Sequence, residues 1–528
     1  MMKPRILKII GLIIVLILII SFAVFVYIQF KKNYKTPISD TSIETTLLKE
    51  ETKIGTATSE EIEIESFEDK LNEYKVWVEF LPEDMRIEGK LILKYTNFED
   101  DKLNKLYLHL YPRAYDEYSD NSFKIVTGLT GKDLDELDIT PGKMEISRFL
   151  IDGVEANYNI EQTLFEIDLQ KPIDPGESLE ITLEFYQNIP KNRDRYGYYN
   201  DVVSLGNWCP ILAVYDDEGW HKDPFIPIGD PFYSDSSIYE VEIMLPEDYA
   251  LASTGQLVDK REFDKYISYT YRTNPVRDFA IMFSKSYEVL EDKFQDINIY
   301  SYLLEEDLDK YKDSIDWAKD AISIFSNLFG KYPYQNYSIA QNLSNFGGME
   351  YPQLCQIKYV DKGYKENVDE RYYYIRNEYV IAHETAHQWW YSVVGNDGIN
   401  EPWLDEAFTE YSTCQYFINK YGEDKGIEFF SIIRPGPLST EVPSKVMNKT
   451  IRDYKDFRQY SRDIYGGGAE LLFRLENHLE RDIMYKILRE YFEEYKFENA
   501  DITGFINICE EVSGKDLSEF FSPYFNDL

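Results

Sequence analysis

His383-Glu384-Thr385-Ala386-His387 is the stretch on which the reading of this 528-residue chain turns. It holds two of the five histidines, four residues apart. On a helix, positions i and i+4 share a face, so both imidazoles can reach one zinc ion while Glu384 points at the water beside it. Eighteen residues intervene between His387 and Glu406, which stands in Trp403-Leu404-Asp405-Glu406-Ala407-Phe408, at the start of the next expected helix. A hydrolytic zinc site wants three protein ligands and an open fourth position, and His383, His387 and Glu406 supply that set. The expectation is one Zn2+ per chain, with Glu384 as general base rather than ligand. A metzincin needs Gly and His three and six residues after the second histidine; Trp390 and Val393 stand there, which excludes that class. Glu410, one turn after Glu406, is a candidate to orient a ligand histidine.

Helical periodicity surrounds this stretch. Leu308, Tyr311, Ile315, Ala318, Ile322, Phe325 and Phe329 recur at three and four residues until Gly330 and Pro333 stop the run. Further helical patterns cover 370–391, 406–421, 469–480 and 483–495. Upstream the period is two. Tyr74 to Phe80, Leu91/Leu93/Tyr95, Leu106/Leu108/Leu110 and Leu179/Ile181/Leu183/Phe185 alternate, and more strand-like runs occur at 164–169, 238–245, 266–272 and 279–283. Turn signals such as Asp174-Pro175-Gly176 separate them. The pattern predicts an α+β, multidomain chain: a mostly antiparallel β domain over 70–285, then a mainly helical domain over 286–528 that carries the metal site.

Residues Ile9 to Ile28 are apolar apart from Gly11, Ser21 and Tyr27, and Lys3, Arg5, Lys8, Lys31 and Lys32 flank them. As a helix this run is about 30 Å long, a bilayer core thickness. It lacks the small-residue cleavage site of a signal peptide. The expected order is a basic segment over 1–8, a single-pass anchor in the lipid bilayer over 9–30, and a Thr-, Ser-, Glu- and Lys-rich stalk over 31–69. The amino terminus would be cytoplasmic and the catalytic domain extracellular. A formal charge of −39 with no basic stripe argues against nucleic acid as a partner. Cys209, Cys355, Cys414 and Cys509 form no CxxC pair, so they point to neither a thiolate metal site nor a disulfide scaffold. Nothing in the sequence sets an oligomeric state.

Four motifs taken together resemble one family: the HExxH pair with its eighteen-residue gap to Glu406, the Trp-Leu-Asp-Glu around that ligand, Gly347-Gly348-Met349-Glu350-Tyr351 upstream, and Tyr465-Gly466-Gly467-Gly468-Ala469 downstream. The chain is similar to the aminopeptidase-N-like zinc metallopeptidases, the gluzincin group that also contains leukotriene A hydrolase, from about residue 70 to its end. Thermolysin-like endopeptidases use a longer gap to the third ligand. The resemblance implies a β-sandwich or saddle domain followed by a thermolysin-like catalytic domain, and removal of amino-terminal residues from peptides with a free amino terminus. In that family the Gly-x-Met-Glu segment is an edge strand that pairs with the substrate, and its glutamate holds the α-amino group. Those roles fall on Gly347, Gly348, Met349 and Glu350. The tyrosine that donates to the oxyanion falls on Tyr465.

The chain departs from the family pattern twice. The usual Asn after the glutamate is Tyr351, followed by Pro352, and the chain ends about 60 residues after Tyr465, short of the large carboxy-terminal helical domain of longer relatives. A less roofed cleft that admits longer peptides is the expectation. Competing readings are a zinc endopeptidase or other hydrolase on the same scaffold, and a non-catalytic, membrane-tethered peptide-binding receptor. The intact Glu384 and Tyr465 argue against the receptor.

Overall fold

The computed structural model describes residues 71–116, 138–361, 368, 370–434 and 447–525. The expected anchor over 9–30 and stalk over 31–69 lie outside the described residues. Among the described residues, no helix is long and apolar enough to cross a membrane.

Period-two patterning builds the first half. In β1 (Asn72–Leu81) the residues Tyr74, Val76, Val78 and Phe80 turn inward while Glu73, Lys75 and Glu79 face out. With β2 (Arg86–Thr96), β3 (Lys143–Ile151), β4 (Ser178–Asn188), β5 (Ser237–Pro246), β6 (Gln256–Phe263) and β7 (Tyr266–Arg272) it forms an eight-stranded sheet. Its order is β6-β7-β5-β1-β2-β4-β3, with Val154–Glu155 at the far edge. The pairing is antiparallel except between β1 and β5, which run parallel with Asn72 opposite Ser237 and Glu79 opposite Met244. Two four-stranded sheets, one containing Leu103–His109 and Leu164–Ile173 and the other Val202–Leu205 and Ile281–Ser284, share buried side chains with it.

A five-stranded sheet introduces the second half: β8 (Tyr287–Phe294), β9 (Ile297–Leu304), β10 (Asn336–Gln341), β11 (Gly348–Met349) and β12 (Leu354–Ile357), in the order β8-β9-β10-β12-β11. The short strand β11 is therefore an edge, paired antiparallel to β12 only. Helices follow: α1 (Ser314–Phe329), lying between β9 and β10, then α2 (Glu370–Ala386), α3 (Trp403–Tyr421), α4 (Glu423–Ile433), a π-helical turn over Ser461–Gly467, α5 (Gly468–Leu479), α6 (Arg481–Glu494) and α7 (Ile502–Ser513). The β-rich first part and helical second part are the architecture expected from the change of period near 285.

Helix α2 is buried without a break from Ile375 to Ala386, which marks it as an interior helix. Polar members away from the histidines are accordingly paired. Asn377 clamps the backbone of Val360 through both ends of its amide. Glu378 accepts from the hydroxyls of Tyr416 and Tyr421. The helix expected to reach Tyr391 stops at Ala386. There the N–H groups of Gln388 and Trp389 turn to carbonyls three residues back, and Tyr391 adopts φ 108°. This tight exit lets Trp389 and Trp390 both bury, with indole N–H groups donating to Gly330 O and Ser412 Oγ. All four cysteines are free and buried.

Candidate metal centre

The helix exit does not separate the two histidines. His387 N–H still donates to His383 O, at 3.4 Å, so the i to i+4 relation survives one residue past the helix. Their rings stand nearly perpendicular with centroids 4.9 Å apart. Glu406, in the first turn of α3, places Oε2 3.4 Å from His383 Nε2 and 3.5 Å from His387 Nε2. A tetrahedral zinc ion with bonds of about 2.0–2.1 Å spaces its ligands roughly 3.3–3.4 Å apart. Glu406 Oε2 already holds that spacing from both nitrogens, all three donor atoms lie within 4.8 Å of one another, and Glu406 Oε2 is buried without a hydrogen-bond partner, an acceptor that a cation would satisfy. Burial pushes the Glu406 carboxyl up, but the facing His383 and His387 rings outweigh it and hold the group well below the usual carboxylate range. The residues fit zinc.

Each histidine is held differently. His387 Nδ1 lies 2.5 Å from Asp405 Oδ1, with Thr409 Oγ1 at 3.0 Å and Trp390 O at 3.2 Å, so Nδ1–H points at Asp405 and Nε2 is left for the metal. Burial pulls the His387 imidazolium down; Asp405 and Glu350 more than reverse it, and the net shift is well upward. His383 has no hydrogen-bond partner at Nδ1 among the described residues. Its ring is instead sandwiched between Tyr379 and Tyr465, both centroids 5.9 Å away.

Glu410, expected to orient a histidine, touches neither. It accepts from Tyr379 Oη at 2.6 Å and from Arg434 Nε at 2.5 Å. One step up α3 from Glu406 meets one step down α2 from His383, which is Tyr379, so Glu410 acts on the stacking partner of His383. The carboxylate on a histidine is Asp405. It stood in the quoted Trp-Leu-Asp-Glu string, one residue before the ligand, but its orienting role was missed because adjacent residues on a helix face different directions.

The edge strand β11 lies against Glu384. A Cβ added to Gly348 would stand 2.5 Å from Cγ and Cδ of Glu384, and neither Gly347 nor Gly348 has a positive φ. Close approach, not turn geometry, is what these glycines serve. Glu384 Oε2 is buried without a hydrogen-bond partner. Burial raises the Glu384 carboxyl to about 7 against the pull of His383 and His387. Glu350 sits beside it, 5% exposed, with carboxylate, Glu384 and His387 atoms all within 4.8 Å of one another. Burial raises Glu350, and Asp230 raises it further.

Asp230, from a β-domain loop, was not found in the sequence. Its Oδ1 accepts from Arg195 Nη1 at 2.7 Å while its charge reaches Glu350, Glu384 and Tyr465. Tyr351, in place of the family Asn, donates its hydroxyl to Asn207 Oδ1 at 2.8 Å and so ties the strand to the β domain. Tyr465 comes from the π-helical turn, and its hydroxyl donates to Glu406 Oε1.

Residues 313–524 match the peptidase family M1 domain. Over 318 residues the chain is 25% identical to probable aminopeptidase 2 of Sulfurisphaera tokodaii, covering 58% of this chain and 40% of that protein. Over 316 residues it is 22% identical to tricorn protease-interacting factor F2 of Thermoplasma volcanium, covering 56% and 38% respectively. The match thus spans well under half the length of these relatives. Among solved structures, the crystal structure of an M1 zinc metallopeptidase from Deinococcus radiodurans superposes with TM-score 0.60 at 16% identity, covering 87% of this chain and 94% of that one. The fold is the same two-part fold.

Proposed function

Since residues 313–524 place the chain in peptidase family M1, among the aminopeptidase-N-like gluzincins, we propose that it is a zinc-dependent aminopeptidase that removes amino-terminal residues from peptides. One zinc ion per chain would be held by His383 Nε2, His387 Nε2 and Glu406. When bound there it supplies a Lewis acid for the scissile carbonyl. The observation that carries the reading is the single cluster in which this ligand set, an unpartnered Glu384 oxygen and the buried Glu350 stand together.

Glu384 takes the proton of the attacking water and passes it to the leaving amine; its raised carboxyl suits both halves of that transfer near neutral pH. The hydroxyl of Tyr465 shifts from Glu406 to the oxygen on which charge develops. The backbone of Gly347 to Met349, on a sheet edge, offers the substrate main chain a strand to pair with. Glu350 receives the free α-ammonium, and Asp230 adds negative potential at the same end. A blocked amino terminus then leaves the buried Glu350 carboxylate uncompensated.

The test offers free-amino and N-acetylated forms of one peptide to the soluble protein, with and without a chelator. Cleavage of the free form only, abolished by chelation and by Glu384→Gln, is expected. Faster cleavage of the acetylated form would refute the exopeptidase reading. We also propose that residues 9–30 tether the catalytic part to the outer face of a membrane, on the strength of their length and flanking lysines. Protease shaving of intact cells that leaves the catalytic part untouched would contradict that orientation.

A further inference from the structure

In the chemistry proposed above, the hydroxyl of Tyr465 leaves Glu406 for the reacting oxygen, so the backbone that carries it matters. Tyr465 lies in the π-helical turn Ser461–Gly467, and Gly466 and Gly467 follow it directly. Neither glycine has a positive φ. Nor does either serve a close approach: beyond its own turn, a Cβ at Gly466 would meet only Ser461 O at 4.0 Å, and one at Gly467 nothing nearer than Met447 Cε at 3.6 Å. Gly468 differs, since a Cβ there would run into Ala407 of α3. Glycine gives up the most backbone freedom on folding and is a weak helix former, so two in succession with helical backbone loosen the turn next to the tyrosine.

A side chain from elsewhere makes up the difference. Arg434, directly after α4, donates from Nε to Glu410 Oε1 at 2.5 Å and to Tyr379 Oη at 3.2 Å, and from Nη1 to Ser461 Oγ at 3.1 Å, in the first residue of the turn. Its guanidinium carbon also lies over the Tyr465 ring, 4.9 Å from the centroid. Tyr379 stacks on His383 at 19° between planes, and His383 on Tyr465 at 6°. Tyr379, His383, Tyr465 and Arg434 thus close a loop, and one guanidinium grips both of its ends.

The bland account makes Arg434 only the counter-charge of Glu410, which is 1% exposed and needs one. A lysine would do that much. Bonding Glu410 and Ser461 from the edge of the group while a ring rests against its face requires the planar fork that arginine alone has. We propose that Arg434 is the positioning residue of Tyr465, guiding a ring hinged at Gly466 and Gly467 so that its hydroxyl meets the developing charge in one geometry. This rests on the aminopeptidase reading and deepens it.

The test uses the zinc-loaded full chain and an aminoacyl p-nitroanilide, with zinc content and urea midpoint measured on the same preparations. Arg434→Met should lower kcat about 10- to 100-fold, with zinc retained and KM within about twofold, as expected for a misplaced reacting group. In the Tyr465→Phe background the same substitution should cost less than about threefold, because the hydroxyl it aims is already gone. Glu410→Gln combined with Arg434→Met removes the buried pair together; it should show the same loss and the same non-additivity, and it replaces the single variant if that one does not fold. Arg434→Lys should keep the urea midpoint without recovering kcat. Equal losses with and without the Tyr465 hydroxyl, wild-type kcat in Arg434→Met, or full kcat in Arg434→Lys would each overturn the proposal and leave Arg434 as the partner of Glu410. Absence of turnover by the wild type would instead sink the aminopeptidase reading. The urea midpoints of Arg434→Met, Tyr465→Leu and their combination then decide the matter: non-additive effects support a guanidinium that holds the ring, and additive ones refute it.

Discussion

Replacing Gly348 by alanine probes the placement of the general base without touching a metal ligand. The new Cβ would stand 2.5 Å from Cγ and Cδ of Glu384, where unbonded carbons prefer about 3.5–4.0 Å. The two groups must part by about 1 Å. Neither yields easily: the strand is pinned through Gly348 opposite Ile357 and Gly347 O to Lys358 N–H, and Glu384 belongs to a helix buried on all sides. A displacement of that size in a reacting group costs on the order of 100-fold in rate. Gly347→Ala is the matched control, because its Cβ meets only the guanidinium tip of Arg376, at 3.1 Å, and nothing else closer than 3.8 Å. Neither position has a positive φ, so backbone strain does not enter. The assay is kcat/KM on an aminoacyl p-nitroanilide, with zinc content and thermal midpoint measured on the same preparations. Gly348→Ala should lose about 100-fold with zinc and folding intact, and Gly347→Ala less than about 3-fold. A fully loaded, folded Gly348→Ala protein within threefold of wild type would show that Glu384 is not the base in the position described.

Asp405→Asn keeps an acceptor beside His387 but removes its charge, and zinc affinity in chelator competition should fall about 10- to 100-fold. Tyr465→Phe should lower kcat by about 100- to 1000-fold with little change in KM, since the hydroxyl is required where charge develops rather than for binding; an equal rise in KM would speak against that role. Glu401 lies among Asp397, Asp501 and Glu218, and burial with their repulsion raises its carboxyl from 4.5 to about 7. The folded state then binds the proton more tightly than the unfolded chain, so the stability it contributes is complete below pH 4.5 and is lost as pH rises through about 7. Glu401→Gln should therefore be more stable than wild type at pH 8 by up to about 3 kcal/mol, a gap that shrinks by more than half at pH 5.5, read by urea denaturation.

The meeting of His383, His387 and Glu406 was legible because its members are local or fixed by helical spacing: the histidines are four positions apart, and Glu406 lies in the first turn of the following helix. The alternation from Tyr74 to Phe80 and the run ending at Gly330 were legible for the same reason, since burial of one face writes a period into the chain. What escaped depends on partners far away in sequence. Asp230 reaches the metal site from a β-domain loop, Arg434 meets Glu410 from beyond α4, and no spacing rule connects either to the motif. Glu410 shows the complementary failure. Its face was read correctly, but the neighbour on that face depends on which way α2 runs past α3. Likewise the parallel pairing of β1 with β5 leaves no trace in either strand, because both alternate as antiparallel strands do.

That parallel pair also sets an order of assembly on the ribosome. β1 ends at Leu81, and the strand that covers its second edge does not begin until Ser237. At a synthesis rate of about 5–20 residues per second, β1 waits roughly 10–30 s with that edge open. During this interval its row of unpaired amides, backed by Tyr74, Val76, Val78 and Phe80, is a template for another nascent chain. Yield of folded protein should thus depend on expression rate and temperature more steeply than the stability of the finished sheet would suggest.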